Sequence, residues 1–122
     1  MQNMKIEETK YTPAIELDAS GAITIVGKSY PENTFEFYAP VMKWVESYFE
    51  SGAKKLAVNM EIVYFNSSSS KLFFDLFDLL EENNNPELIV NWIYDAENES
   101  AMEAGEDFKE DFEKLQFNLK AK

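Results

Sequence analysis

The spacing of the apolar residues constrains this chain most, because it changes repeatedly between two periods. In "AIELDASGAITIV" (residues 14–26) apolar side chains fall at every second position within two short runs, which is typical of β-strands. In "FEFYAPVMKWVESYFE" (residues 35–50) and "KLFFDLFDLLEE" (residues 71–82) they fall three and four positions apart, which is typical of one face of an α-helix. The two periods then alternate to the end of the chain.

Read in chain order, these segments predict the element order β-β-α-β-α-β-α-β. The turn sequence "DASG" (residues 18–21) joins the first two strands as an antiparallel hairpin. The later strands are separated by helices, so we expect crossovers that build a mainly parallel mixed sheet with flanking helices. The nearly continuous apolar run "LIVNWIYD" (residues 88–95) predicts a central strand that is covered on both faces.

Length and composition predict a single α/β domain. A chain of 122 residues, 45% of them hydrophobic, can bury one core. We place the domain at residues 11–122 and expect the polar residues 1–10 to be a loosely held N-terminal segment. That segment lacks the apolar stretch of a signal peptide, and no run approaches the ~20 apolar residues of a membrane-spanning helix. We therefore expect a cytoplasmic protein.

The residue types that are missing exclude most catalytic chemistry. The chain has no histidine and no cysteine, which excludes a Ser-His-Asp triad, a thiol nucleophile and a zinc site built from imidazole or thiolate. It contains neither a Gly-x-x-x-x-Gly-Lys phosphate loop nor an acidic calcium loop. The sequence therefore predicts a protein that is not an enzyme and that needs no metal or cofactor.

The net charge of −12 limits the class of partner. A surface this acidic repels the phosphates of nucleic acids and of anionic lipids, so we expect neither nucleic acid nor a membrane as a partner. It attracts proteins with a basic surface instead. Much of the charge lies in residues 94–114, for which a solvated helix face is the simpler interpretation.

Four consecutive serines, Ser67 to Ser70, stand where a predicted strand ends and a predicted helix begins. Serine or asparagine at such a position caps the helix, typically by ~1 kcal/mol, and capping alone accounts for serine here. Phosphorylation is the functional interpretation. A phosphoserine adds roughly −1.5 to −2 charge, which a helix N-terminus tolerates and a docked partner does not. Residue spacing alone leaves both interpretations open.

Five segments together resemble the SiaC-type regulatory phosphoproteins, a small bacterial family that is similar to the STAS-domain anti-anti-sigma factors. They are "TPAIELD", "SYPENTFEFYAPVMKWVESYF", "VYFNSSSSKLFFDLFDLLEE", "VNWIYD" and "AGEDFKEDF", which span almost the whole domain in order. The resemblance implies a STAS-like fold and a partner-switching adaptor. Its implied partners are a protein kinase of the anti-sigma or SiaB type, a PPM-type phosphatase and a downstream signalling enzyme such as a diguanylate cyclase. The downstream enzyme binds the unphosphorylated form.

In this family the phosphorylated Ser or Thr directly follows the asparagine that ends a strand. The matching pair here is Asn66 and Ser67, so the resemblance implies phosphorylation of Ser67. Ser68, Ser69 and Ser70 are alternative acceptors, since the family member that we compare has threonine in the place of Ser67.

The segment "SYPEN" lies at another strand-to-helix junction, which the topology places near the same sheet edge. A turn with a helix cap is its simpler interpretation, and a contact site for a partner is the functional one. Residues at the ends of two further parallel strands fall on this edge as well. The predicted partner-binding residues are Tyr30, Glu32, Asn33, Asn66 and Asp95.

Two other functions stay open on the sequence alone. The first is an anti-sigma factor antagonist, which controls transcription indirectly through the same kind of switch. The second is a hydrolase with a Ser-Lys pair, in which Lys71 activates Ser67 or Ser70. A Ser-Lys pair needs a desolvated lysine with a depressed pKa, and the exposed start of a helix is a poor place for one.

Overall fold

A computed structural model describes all 122 residues. Six strands and three helices follow one another along the chain: β1 (Met4–Ile6), β2 (Ala14–Asp18), β3 (Ala22–Ser29), α1 (Thr34–Glu50), β4 (Leu56–Phe65), α2 (Ser67–Glu82), β5 (Leu88–Tyr94), α3 (Glu99–Asp111) and β6 (Gln116–Ala121). The predicted order of strands and helices is confirmed from β2 onward, and β1 is an additional strand.

The strands form one sheet in the order β1-β2-β3-β4-β5-β6. The pairs β1–β2 and β2–β3 are antiparallel, and the three pairs from β3 to β6 are parallel. The predicted α/β class with a mainly parallel mixed sheet is therefore confirmed.

The segment expected to be loosely held, residues 1–10, contains the additional strand β1. Its neighbours are held too: the side chain of Asn3 accepts a hydrogen bond from the Ala19 N–H at 2.7 Å, and the indole N–H of Trp44 donates to the Gln2 carbonyl at 2.9 Å. Sequence spacing did not reveal β1 because three residues are too few to establish a period of two.

All three helices lie on the same face of the sheet. Each helix connects one parallel strand to the next strand in the sheet order, always towards β6. Because such connections are right-handed, the three helices lie on one side of the sheet. The apolar core fills the space between this face and the helices as one continuous cluster. The other face of the sheet carries no helix.

The prediction that residues 88–95 are covered on both faces is therefore wrong. Val90 and Trp92 of β5 are buried beneath the helices, whereas Ile89 and Ile93 alternate with them on the open face and are only half-buried. Side chains of neighbouring strands, rather than a second layer of helices, shield these two isoleucines. An apolar run in the sequence does not show whether a strand is covered by helices or by the side chains of neighbouring strands.

Three asparagines on adjacent strands form a ladder across the open face. The side-chain amide of Asn91 donates to Asn59 at 2.8 Å, and that of Asn118 donates to Asn91 at 3.2 Å. The three residues stand in register on β4, β5 and β6. Because the amides satisfy one another, Asn91 can be buried in the middle of the sheet.

Helix α3 approaches the sheet closely at Gly105. A Cβ atom added there would lie 2.5 Å from Cδ1 of Trp92 and 2.8 Å from a methyl group of Leu119, both closer than real Cβ contacts allow. Glycine therefore sets the distance between α3 and β5.

We predict that Gly105→Ala destabilises the protein. Better helix propensity would gain up to about 1 kcal/mol, but overpacking against Trp92 typically costs about 1–3 kcal/mol, so the overpacking term dominates. Urea unfolding should give a lower free energy of unfolding for the variant. Ser100→Ala, at an exposed position of the same helix, is the control and should stay within about 0.5 kcal/mol of the parent. A Gly105→Ala variant as stable as the parent would contradict the close packing.

Candidate functional site

The carboxyl ends of the parallel strands bring the predicted site residues to one edge of the sheet. Residues 30–33 follow β3, which ends at Ser29, and residues 66–70 follow β4. A backbone hydrogen bond joins the two segments, since the Asn66 N–H donates to the Ser29 carbonyl at 3.1 Å. The start of α1 and the start of α2 therefore lie side by side.

Both predicted asparagines at this edge cap helices. The side chain of Asn66 accepts from the Ser69 N–H at 2.9 Å, at the start of α2, and that of Asn33 accepts from the Glu36 N–H at 3.0 Å, at the start of α1. These bonds satisfy backbone donors that the helices leave unpaired. The capping interpretation is right for both residues, and a contact with a partner stays a prediction.

The four serines have different surroundings, and Ser69 is the most enclosed. Its side chain is 0% exposed, and its hydroxyl donates to the Ser29 carbonyl at 2.9 Å and lies 2.8 Å from the Ser29 hydroxyl. The Ser29 hydroxyl is in turn 2.5 Å from the hydroxyl of Tyr38. This buried network of Ser29, Tyr38 and Ser69 fixes the first turn of α2 against β3 and α1.

Ser68 and Ser67 are both exposed but differ in their hydrogen bonds. The Ser68 hydroxyl donates to Oδ1 of Asn66 at 3.1 Å and lies 2.7 Å from the hydroxyl of Thr34. Ser70 is half-buried. Ser67 alone combines an exposed side chain with a hydroxyl that makes no hydrogen bond to the protein, so it is the most accessible acceptor of the four.

A cleft of about 490 Å³ opens beside Ser67, between α2 and α3. Ser67, Ser70 and Lys71 line one side of it, and two carboxylates of α3, Asp107 and Asp111, line the other. In the sequence these two carboxylates belong to an acidic run whose simpler interpretation is a solvated helix face, because the spacing of charges along a helix does not reveal which neighbour a residue faces.

Four large apolar side chains are exposed on the segments that meet at this edge of the sheet. Tyr64 and Phe35 are each 56% exposed, Val63 is 53% exposed, and Phe74, which lines the cleft with Ser67, is 44% exposed. Phe35 lies next to the first turn of α2, where the Lys71 ammonium is 6.0 Å from its ring centre. We call Phe35, Val63, Tyr64 and Phe74 the apolar rim. Such groups at a protein surface mark sites of protein association.

The remaining predicted contact residues lie at the same edge in different positions. Tyr30 is half-buried between two tyrosine rings, with centroids at 5.3 and 5.4 Å, and its hydroxyl donates to a backbone carbonyl at 3.1 Å. Glu32 is exposed. Asp95 is exposed and lines a separate cavity of about 160 Å³ beside Lys122, so it does not face the cleft of Ser67.

The edge provides neither a metal site nor a Ser-Lys pair. No group of three or more acidic residues is placed to hold a metal ion. Lys71 is exposed, so its ammonium lacks the desolvation that a catalytic lysine requires. No helix of the structure has the length and apolar character needed to cross a membrane.

Comparison with known proteins identifies the family. The family model described as "SiaC family regulatory phosphoprotein" matches residues 6–122. The chain belongs to the SiaC family. An uncharacterized protein of Pseudomonas aeruginosa (strain UCBPP-PA14) is 38% identical over 114 residues, which are 91% of this chain and 90% of the relative.

Solved structures of the same family share the fold throughout. The crystal structure of apo-SiaC from Pseudomonas aeruginosa matches with a TM-score of 0.88 at 34% identity, over 100% of this chain and 99% of that one. The crystal structure of the diguanylate cyclase SiaD in complex with its activator SiaC, from the same organism, matches with a TM-score of 0.91 at 36% identity, over 98% of this chain and 99% of that one.

We predict that the serines of this SiaC-family chain differ sharply in their effect on stability. Ser69→Ala removes a hydroxyl that forms hydrogen bonds with the buried carbonyl and hydroxyl of Ser29. It should lower the free energy of unfolding by about 1–3 kcal/mol. Ser67→Ala removes a hydroxyl that bonds nothing in the protein and should change it by less than about 0.5 kcal/mol. Urea unfolding of both variants measures the difference. Equal effects would contradict the placement of the two side chains.

Burial of Tyr38 predicts a dependence of stability on alkaline pH. Burial raises the pKa of Tyr38 from 10.0 to about 12, against a smaller lowering by its hydrogen bond to Ser29. The unfolded tyrosine ionises near pH 10 while the folded one stays neutral, so this contribution is complete below pH 10 and is lost as the pH rises towards 12. Between pH 10 and 11 the parent should lose about 1 kcal/mol more than Tyr38→Phe. Urea unfolding at each pH tests this, and parallel losses would contradict it.

Proposed function

We propose that this chain is a non-catalytic signalling adaptor, and that phosphorylation of Ser67 switches its binding to a diguanylate cyclase. The observation that carries the proposal is the position of Ser67. It offers an exposed, unbonded hydroxyl at the edge that also carries the apolar rim, in a cleft that Phe74 lines with it, where a docked protein would cover it.

The downstream partner is proposed from the family. A SiaC chain that is 36% identical to this one activates, and forms a complex with, the diguanylate cyclase SiaD. That complex supports a cyclase rather than an anti-sigma factor as the protein that this chain regulates. The exposed Lys71 gives no support to the Ser-Lys hydrolase.

The switch acts through the cost of desolvating a phosphate. A phosphoryl group on Ser67 adds roughly −1.5 to −2 charge at the N-terminus of α2, where the helix dipole favours it and Lys71 is one turn away. The free adaptor therefore accepts the modification without unfolding. A partner that covers Ser67 would have to remove this charge from water, which costs several kcal/mol.

Two further partners complete the proposed cycle. A protein kinase of the anti-sigma or SiaB type transfers the phosphoryl group from ATP to Ser67, and a PPM-type phosphatase removes it by hydrolysis. Neither reaction needs a catalytic group or cofactor from this chain, which has no histidine or cysteine to offer.

Phosphorylation by a SiaB-type kinase tests the site. We predict one phosphate per chain after incubation with that kinase and ATP, and site mapping by mass spectrometry should place it on Ser67. Ser67→Ala should lose almost all of the label, while the matched control Ser68→Ala should be labelled as fully as the parent. Equal labelling of Ser67→Ala and the parent would refute Ser67 as the acceptor.

A further inference from the structure

We infer that Thr34 is a specificity-determining residue for this phosphorylation, because it engages the hydroxyl of Ser68 and thereby leaves Ser67 as the acceptor. The inference rests on the proposed function and deepens it. Ser67 and Ser68 are neighbours and both are exposed, so exposure alone does not explain how a kinase would choose between them.

Hydrogen bonds engage the Ser68 hydroxyl at two ends, its proton and one of its two lone pairs. Oδ1 of Asn66 is an amide oxygen and can only accept, so the Ser68 proton is directed to it, at 3.1 Å. The contact between the Ser68 and Thr34 hydroxyls, at 2.7 Å, then has Thr34 as the donor. The Ser68 oxygen therefore gives its proton to Asn66 and receives a proton at a lone pair from Thr34.

Phosphoryl transfer requires both of these ends. The serine oxygen uses a lone pair to form a bond to the γ-phosphorus of ATP, the bond between that phosphorus and the leaving oxygen of ADP breaks, and the hydroxyl proton passes to a base of the kinase. In Ser68 the proton is engaged by Asn66 and one of the two lone pairs by Thr34, which lowers the reactivity of the hydroxyl. Ser67 has both ends free, since its hydroxyl makes no hydrogen bond to the protein.

The surroundings of Thr34 keep this contact in place. Thr34 is the first residue of α1 and is only 5% exposed, so its side chain is not a mobile surface group. On the other side, the buried Ser69 bonds both the hydroxyl and the carbonyl of Ser29 and holds the first turn of α2. The backbone of Ser68 therefore cannot move away from Thr34 unless that turn is disrupted.

A chain that lacks Ser67 isolates the effect of Thr34 on the phosphorylation of Ser68. In a Ser67→Ala background, Thr34→Val keeps the shape of the buried side chain but removes the donor. The initial rate of labelling at Ser68 should rise about two- to tenfold, which is the range for one lost hydrogen bond. The rate is measured with the SiaB-type kinase and ATP, and mass spectrometry resolves the labelled serine. Thr34→Ser restores a hydroxyl and should return the rate towards that of the Ser67→Ala parent.

The rate at Ser70 distinguishes specificity from a general loosening of the edge. Our inference predicts no change at Ser70, which makes no contact with Thr34; a parallel rise at Ser68 and Ser70 would overturn it. An unchanged rate at Ser68, or no labelling there in either chain, would also overturn it while leaving phosphorylation of Ser67 intact. A parent chain that takes no phosphate at any of the four serines would instead refute the proposed function itself.

Discussion

The backbone carbonyl of Ser29, at the end of β3, accepts two hydrogen bonds: one from the N–H of Asn66 and one from the hydroxyl of Ser69. These bonds attach the end of β4 and the first turn of α2 to the end of β3. Because the Ser69 side chain is buried and Tyr38 completes the network, the attachment is part of the core rather than a surface contact. The place and exposure of Ser67 follow from it.

This attachment gives the edge the properties that a switch needs. The Ser67 hydroxyl is exposed to solvent, while the hydroxyls of Ser68 and Ser69 form hydrogen bonds within the protein. A modification of Ser67 therefore need not disturb the core. The chain already carries a net charge of −12, so one more phosphate changes the overall field little. The effect of the proposed phosphate is local: the charge would lie at an edge that also exposes apolar side chains, where association with a partner would exclude water.

The strength of the periodic signal decided which parts of the fold and site could be predicted. The end of β4 and the start of α2 lie between two clear periods, so the position of Ser67 at a strand-to-helix junction followed from the sequence. The strand β1 has too few residues for a period, and the open face of the sheet looked covered because Ile89 and Ile93 interrupt the polar pattern. The buried Ser29 was detectable in principle, since it falls on the inward side of its strand in step with Ile23 and Ile25.

Contacts between distant segments could not be predicted in this way. Thr34 and Ser68 are 34 positions apart, and only the fold brings their hydroxyls to 2.7 Å. The orientation of α3 likewise decides that Asp107 lines the cleft of Ser67 while Asp95, at the end of β5, lines another. Family resemblance predicts Ser67 as the acceptor, and the geometry supplies a physical reason to prefer it among four adjacent serines.

The affinity of this chain for the diguanylate cyclase proposed as its partner, with and without a phosphate on Ser67, tests the central claim most directly. Isothermal titration calorimetry at one fixed ionic strength can compare the two forms, once the phosphorylated chain has been purified and its site verified. The account predicts binding at least about tenfold weaker for the phosphorylated form, or about 1.4 kcal/mol. Equal affinities of the two forms would contradict it.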